Sequence, residues 1–198
     1  MEKIKTIKTL QAEVKKTFKL AETYLKQIEL LGEGLSFPVI NELRYAGFHV
    51  LHAVSGDNDD QIINDYREAL EHCRRAVSDA VSLRLHFYIN EFAAFEDAYE
   101  RVIIDTSVIP SYLQDRKTIK QIRNRLFNIK PEDKTKEQHW QELSKDCDLL
   151  KNIFELWDEA RPNLNKKLVI EQRNYRIQTA ILILTFIGLI FAIMTRLL

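Results

Sequence analysis

The sequence predicts an all-α protein, and three observations carry that expectation. Gly and Pro together number nine in 198 residues, too few for the tight turns of a sandwich or barrel. Apolar residues recur at spacings of three and four along most of the chain, which is the period of an amphipathic helix. No run alternates apolar and polar residues as a half-buried strand does. No period of about 20 to 50 residues marks a repeat array either.

The first helix is expected over residues 1–31, where Ile4, Ile7, Leu10, Val14, Phe18, Ala21, Leu25 and Ile28 form one stripe with lysines between. A Lys-rich polar face also suits a membrane-surface helix, but five glutamates among seven lysines up to Glu33 favour ordinary packing. Gly32 and Gly34 supply the stop signal, and Pro38 fits the first turn of the next helix. That second helix is expected from about Pro38 to Val54, with Ile40, Leu43, Gly47, Val50 and Val54 as its apolar stripe. Ser55 to Asp59, SGDND, is a turn cluster.

From about Asp60 to Ile104 a near-heptad pattern runs through Ile62, Tyr66, Ala69, Cys73, Ala76, Ala80, Tyr88, Phe92, Phe95, Tyr99 and Val102 without a Pro or Gly. It predicts one long helix, or two with a kink near Ser82 to His86. After Thr106 to Pro110 a short helix is expected to about Ile129. Pro131 punctuates, and Thr135 with Gln138 has the capping-box spacing that opens a helix to about Ala160. Its core stripe is Trp140, Leu143, Cys147, Leu150, Phe154 and Trp157. Pro162 then suits the start of a further helix.

From Ile177 to Thr195 nineteen consecutive residues carry no charge. As a helix they measure roughly 28 Å, close to the hydrocarbon thickness of a bilayer, and a transmembrane helix is expected there. The basic residues Lys166, Lys167, Arg173 and Arg176 precede this segment and Arg196 follows it, which by the positive-inside rule keeps the N-terminal side in the cytoplasm. The expected layout is a cytoplasmic helical bundle over 1–160, a basic juxtamembrane helix over 161–176 and a single-pass span over 177–195 in the inner membrane. Gln178, Thr185, Gly188, Ala192 and Thr195 place small or polar groups on one stripe, suited to helix association or to lining a pore. The other reading of the stripe is a passive anchor.

Basic and acidic side chains balance at 29 each, which argues against a surface made for nucleic acid on every face. Cys73 and Cys147 make no disulfide framework and match no metal-ligand spacing, so neither a metal nor another cofactor is expected. There is no glycine-rich phosphate loop, no paired-histidine metal motif on a helix and no serine elbow.

The most specific polar element is NELRYAGFHVLHAV, Asn41 to Val54. Arg44 can stabilise charge on a phosphate, and His49 or His52 can move the proton of a ribose 2′-hydroxyl. On an ideal helix Arg44 and His49 stand roughly 140° apart and Arg44 and His52 about 80° apart, so Arg44 and His52 make the better polar pair. A second cluster holds His72 and Arg75, neighbours on a helix face, followed by Arg84 and His86. His72 and Arg75 suit a nucleotide or RNA phosphate, or ion pairs with carboxylates such as Glu42, Glu68 and Asp79. A third element runs from Arg116 to Lys130 with six basic residues, among them Lys117, Lys120, Arg123 and Arg125, and no acidic one. It suits RNA phosphates, anionic lipid or a neighbouring subunit. Glu137 to Glu159 carries seven acids and two lysines, enough to neutralise it.

The RYAGFH stretch, Arg44 to His49, in an all-helical chain of this size resembles the Arg-x4-6-His signature of HEPN domains, chiefly over residues 36–105. That resemblance implies a helical bundle of the kind found in RNases and their inactive relatives in bacterial antiviral defence, with Arg44 and His49 in the signature positions. Active members usually carry Asn, Asp or His directly after the arginine, where this sequence has Tyr45. A HEPN-like domain with one span is also similar to the accessory membrane proteins of type VI-B CRISPR systems. This second resemblance implies a homo-oligomer that permeabilises the inner membrane and works beside an RNA-guided nuclease. A membrane-tethered, metal-independent RNase acting on RNA and a membrane scaffold for a cytoplasmic partner are the competing expectations.

Overall fold

The computed structural model describes the backbone of residues 2–32, 34–127 and 136–197 and the side chains of 2–32, 34–126 and 142–190. Five helices follow one another among the described residues: α1 Glu2–Leu30, α2 Phe37–Ser55, α3 Asp59–Ala98, α4 Tyr112–Phe127 and α5 Lys136–Leu197. The chain divides into two compact units, Met1–Asn90 with Ile119–Lys151 and Glu91–Thr118 with Asn152–Leu198.

Local chemistry sets the helix ends of the first unit. Gly32 stops α1 in the left-handed region, at φ 80°, a conformation that costs glycine little. Ser36 precedes α2 and Pro38 sits in its first turn, where a missing N–H is harmless. Gly56 closes α2, and a Cβ there would stand 3.0 Å from Ile62 Cγ1, so a side chain at this position would have to push Ile62 aside by a few tenths of an ångström. The Asn58 side-chain oxygen accepts the N–H of Asp60 at 2.9 Å and opens α3. Thr135 lies outside the described residues, and Gln138 and Trp140 lie outside the described side chains.

The core of this unit packs Val14 of α1 against Ala46 and Ala53 of α2 and Tyr66, Ala69, Leu70 and Cys73 of α3. The buried face of α2 is therefore Val39, Leu43, Ala46 and Ala53, a correction to the expected stripe. Val54 is largely exposed and Ile40 only half-buried. The small alanines decide the rotation, because they let α2 approach α3 closely where Ile40 and Val54 would hold it away. Ile4 also leaves the expected core and is exposed.

Cys73 and Cys147 are free and buried in this unit. Burial pushes the Cys73 thiol up to about 12. Burial likewise pushes Cys147 up to about 11, with Arg84 opposing and Asp148 and Asp146 adding. Neither thiol is expected to react with an aqueous maleimide at pH 7.5 in the native chain, while both react in denaturant. Intact-mass measurement checks this, and rapid native labelling would contradict the burial.

In the second unit, Trp157 packs its indole against Phe92, Phe95 and Tyr112, with ring centroids about 5 Å apart. Its Nε1–H donates to Asp115 Oδ2 at 3.0 Å, and the same oxygen accepts Ser111 Oγ–H at 2.7 Å. Tyr99 donates to Asn165 at 2.7 Å, and Lys167 pairs with Asp105 at 3.1 Å. The Ser107 hydroxyl, Lys167 and the Ser107 N–H, in that order, draw the Asp105 carboxyl down to about 2.

Both α3 and α5 run on through a point where the sequence offers a break. The buried stripe of α3 passes from Val81 through Leu85 to Tyr88 within one helix, the first of the two alternatives expected there. Pro162 opens no new helix and lies inside α5. A proline there costs about 3 kcal/mol, but Trp157, Ala160 and Leu164 are buried on both sides of it and anchor α5 through this stretch.

The expected transmembrane helix is also corrected. Among the described residues no helix is long and apolar enough to cross a membrane. The uncharged run from Ile177 onward is the C-terminal part of α5. It continues directly from Lys166, Lys167, Glu171, Arg173 and Arg176 of the same helix. Residues 191–195 of the expected span, Ala192 and Thr195 among them, lie outside the described side chains. A single-pass helix over 177–195, an inner-membrane location and a pore lined by that helix are therefore unsupported. Every described side chain from Ile177 to Ile190 is exposed. Thr185 donates to the carbonyl of Ile181 at 2.8 Å within its own helix, Gln178 faces solvent, and a Cβ added at Gly188 would meet nothing within 4 Å.

Candidate functional site

The polar residues singled out in α2 and α3 converge in the first unit, in a different combination from the expected one. α2 and α3 form an antiparallel hairpin whose register sets Glu42 beside His72 and His49 beside Asp65. His72 Nδ1 lies 2.8 Å from Glu42 Oε2, and His49 Nδ1 lies 3.3 Å from Asp65 Oδ1. An ionised carboxylate only accepts, so each Nδ1 carries the proton and each Nε2 is left for other chemistry. Each helix thus contributes one histidine and one carboxylate.

The two imidazoles stack on each other, with centroids 5.3 Å apart and planes 19° from parallel. Both side chains are mostly covered yet keep an edge to solvent, at 23% and 14% exposure for His49 and His72. Exposed Glu68, one turn before His72 on α3, completes the cluster: one ring nitrogen of each histidine and a Glu68 oxygen lie within 4.8 Å of one another. Asp65 is buried, and its second oxygen, Oδ2, has no hydrogen-bond partner.

Charge and aromatic surface surround this pair. Arg75 Nε is 3.7 Å from Glu42, which His72 also contacts, so Glu42 joins the two predicted residues of α3. Burial raises the Asp79 carboxyl above the usual carboxylate range, with the Glu42 charge adding and Arg75 opposing. Tyr45 tilts against His72 at 5.3 Å, and the Arg44 guanidinium lies 5.2 Å from the Tyr45 ring centre. Phe48 meets His49 edge-on at 5.6 Å and packs on His52 at 4.7 Å. Tyr45 and Phe48 remain about half exposed.

The expected Arg44 and His52 pair is not what assembles. Arg44 and His52 are both exposed, Arg44 over Tyr45 and His52 on Phe48, while His49 turns to α3. Sequence reasoning missed Asp65 and the meeting of His49 with His72. A signal for it exists: Glu42 and His49 are seven apart on α2, and Asp65 and His72 are seven apart on α3. An antiparallel hairpin crosses those two pairs. Spacing within one helix carries no metal signature because these donors come from two helices.

The other predicted residues lie elsewhere. Arg84 is buried over Tyr24, with Nη2 3.6 Å from Asp148 and with Nε and Nη1 unpaired. His86 contacts the Ser82 carbonyl at 2.8 Å. On α4, Arg116 pairs with Glu96 in the second unit and Arg125 with Asp146 in the first, while Lys117, Lys120 and Arg123 are exposed. Lys130 lies outside the described residues.

Comparison of the chain with protein-family models, with curated proteins and with solved structures finds no match.

Proposed function

We propose that the chain cleaves single-stranded RNA by metal-independent acid–base chemistry, with His49 and His72 as the proton-transfer pair, in keeping with its HEPN-like signature. The stacked histidines, each with Nδ1 held by a carboxylate, carry this reading. A carboxylate on Nδ1 fixes both the tautomer and the ring orientation, which is what a general acid or base requires.

RNA brings its own nucleophile. One imidazole takes the 2′-hydroxyl proton on Nε2 while the 2′-oxygen bonds to phosphorus. The other enters as imidazolium and gives its Nε2 proton to the 5′-oxygen as the P–O5′ bond breaks. The products are a 2′,3′-cyclic phosphate and a 5′-hydroxyl, and the two rings have exchanged protonation states. Arg75 and Arg44, both with exposed side chains, supply charge for the phosphate. The exposed rings of Tyr45 and Phe48 suit unpaired bases, which stack on aromatic side chains in single-stranded recognition. The 2′-hydroxyl requirement selects RNA over DNA.

The test is incubation of the untagged full chain with a synthetic single-stranded RNA in EDTA, with ends assigned by mass spectrometry. Cyclic-phosphate and 5′-hydroxyl ends are expected, with no cleavage of the matching 2′-deoxy strand. Intact RNA, or equal cleavage by a His49→Ala/His72→Ala double variant, would overturn the reading.

A further inference from the structure

The histidine cluster has the donor set of a second kind of ligand. With both rings neutral it holds two imidazole nitrogens and three carboxylates, on Glu42, Asp65 and Glu68, against the Arg75 guanidinium in contact with Glu42. Asp79, whose carboxyl burial and Glu42 disfavour as an anion, exposed Arg44, Tyr45 against His72, and His52 on Phe48 also border this face. Such a balance favours a cation. The arrangement is also that of a borderline-soft metal site, because metal-bound histidines usually donate their other ring N–H to a carboxylate. Here Asp65 and Glu42 already occupy Nδ1 of His49 and His72.

We propose that His49 Nε2, His72 Nε2 and a Glu68 carboxylate oxygen bind one zinc-class divalent ion, and that this ion inhibits the cleavage by occupying both proton-transfer nitrogens. Binding rests on the donor set alone, whereas the inhibition rests on the function proposed above. Two nitrogens and one carboxylate make a three-ligand set that leaves a fourth, water-filled position on the exposed Glu68 side. Tetrahedral coordination at about 2.0–2.1 Å puts donors roughly 3.3 Å apart. One nitrogen of each ring and a Glu68 oxygen already lie within 4.8 Å of one another, so the set reaches that spacing by side-chain rotation at two partly exposed rings and an exposed glutamate. The orphaned Asp65 Oδ2 is a second, independent pointer. It leaves a buried carboxylate short of compensation, and a metal makes the His49 Nδ1–H bound to that carboxylate a stronger donor while adding positive charge beside it. Imidazole and carboxylate together select zinc or cobalt(II) over magnesium, which takes oxygen ligands.

The probe is zinc or cobalt(II) chloride added to the untagged full chain. Titration calorimetry is expected to show one equivalent of zinc, and cobalt(II) to give the intense visible bands of a four- or five-coordinate site. Glu68→Gln changes an exposed side chain and keeps the fold, which circular dichroism verifies. It should weaken zinc binding at least about 10-fold. Glu42→Gln, which weakens the support of His72 and removes the charge facing Arg75, should weaken it about 10- to 100-fold. Absence of stoichiometric zinc binding, or binding unchanged in Glu68→Gln and in the His49→Ala/His72→Ala double variant, overturns the site. Zinc that binds while RNA cleavage continues undiminished overturns the inhibition. Zinc binding in a chain that cleaves no RNA with or without EDTA upholds the site and overturns the nuclease reading instead.

Discussion

Trp157→Ala is expected to lower the stability of the chain by about 3–5 kcal/mol, the usual cost of emptying a buried aromatic site. Trp157 is 1% exposed and touches rings from α3 and from α4. Its removal leaves a cavity that the three rings cannot all collapse into, because Phe92 and Phe95 are fixed on α3 and Tyr112 on α4. It also takes one of the two side-chain donors from Asp115, a buried carboxylate. Leaving such a group under-bonded adds about 1–3 kcal/mol. Against a total of about 5–15 kcal/mol for a typical domain, this loss can unfold the chain. Trp157→Phe separates the two contributions: it keeps most of the ring packing and loses the N–H, so a smaller loss of about 1–2 kcal/mol is expected. Urea denaturation checks both. A Trp157→Ala chain within about 1 kcal/mol of the parent would show that the cluster does not hold this unit together.

The second large effect is on rate. His49→Ala and His72→Ala should each lower RNA cleavage by about 10²- to 10⁴-fold, the range for losing a positioned acid or base. The double variant should lose little more than the worse single one, since the two rings act as one device. His52→Ala is the control: its exposed ring packs on Phe48 and belongs to neither histidine–carboxylate pair, and a change within about threefold is expected. Single-turnover rates in EDTA measure all four chains. Equal losses in the His49 and His52 variants, or additive losses in the double variant, would contradict the pairing. Because alanine here removes a ring from a stack, Asp65→Asn offers a gentler version. It keeps the volume, weakens the hold on His49 Nδ1, and is expected to lower the rate while leaving the far-ultraviolet spectrum unchanged.

How much of this was legible in the sequence differs between levels. The ends of α1 and α2 lie within two residues of those expected, because Gly32, Pro38 and the turn at Gly56 act locally. The length of α3 was legible as an unbroken heptad pattern. The rotation of α2 was not: Ile40 and Val54 look like core residues by hydrophobicity, yet alanines at 46 and 53 are the ones buried. Close approach of two helices rewards small residues, and a pattern scored by apolar character cannot see that. Pro162 misled for a related reason, since the packing of Trp157, Ala160 and Leu164 outweighs a backbone penalty that is visible in sequence. The uncharged run at 177–195 was legible as composition, but no described helix reaches the length and apolarity that crossing a membrane requires.

The candidate site divides the same way. The sequence names Arg44, His49, His52, His72 and Arg75 as the residue types that phosphate chemistry needs. Only the hairpin decides that His49 meets His72, that Glu42 and Asp65 hold the two rings, and that Arg44 stays outside on Tyr45. Helix formation is determined by the sequence alone because each hydrogen bond closes within four residues, so capping and periodicity suffice to predict it. The site is decided by tertiary structure because it depends on two quantities no local window contains: the rotation of α2 about its axis and its register against α3, both fixed by close packing at Ala46, Ala53 and Ala69.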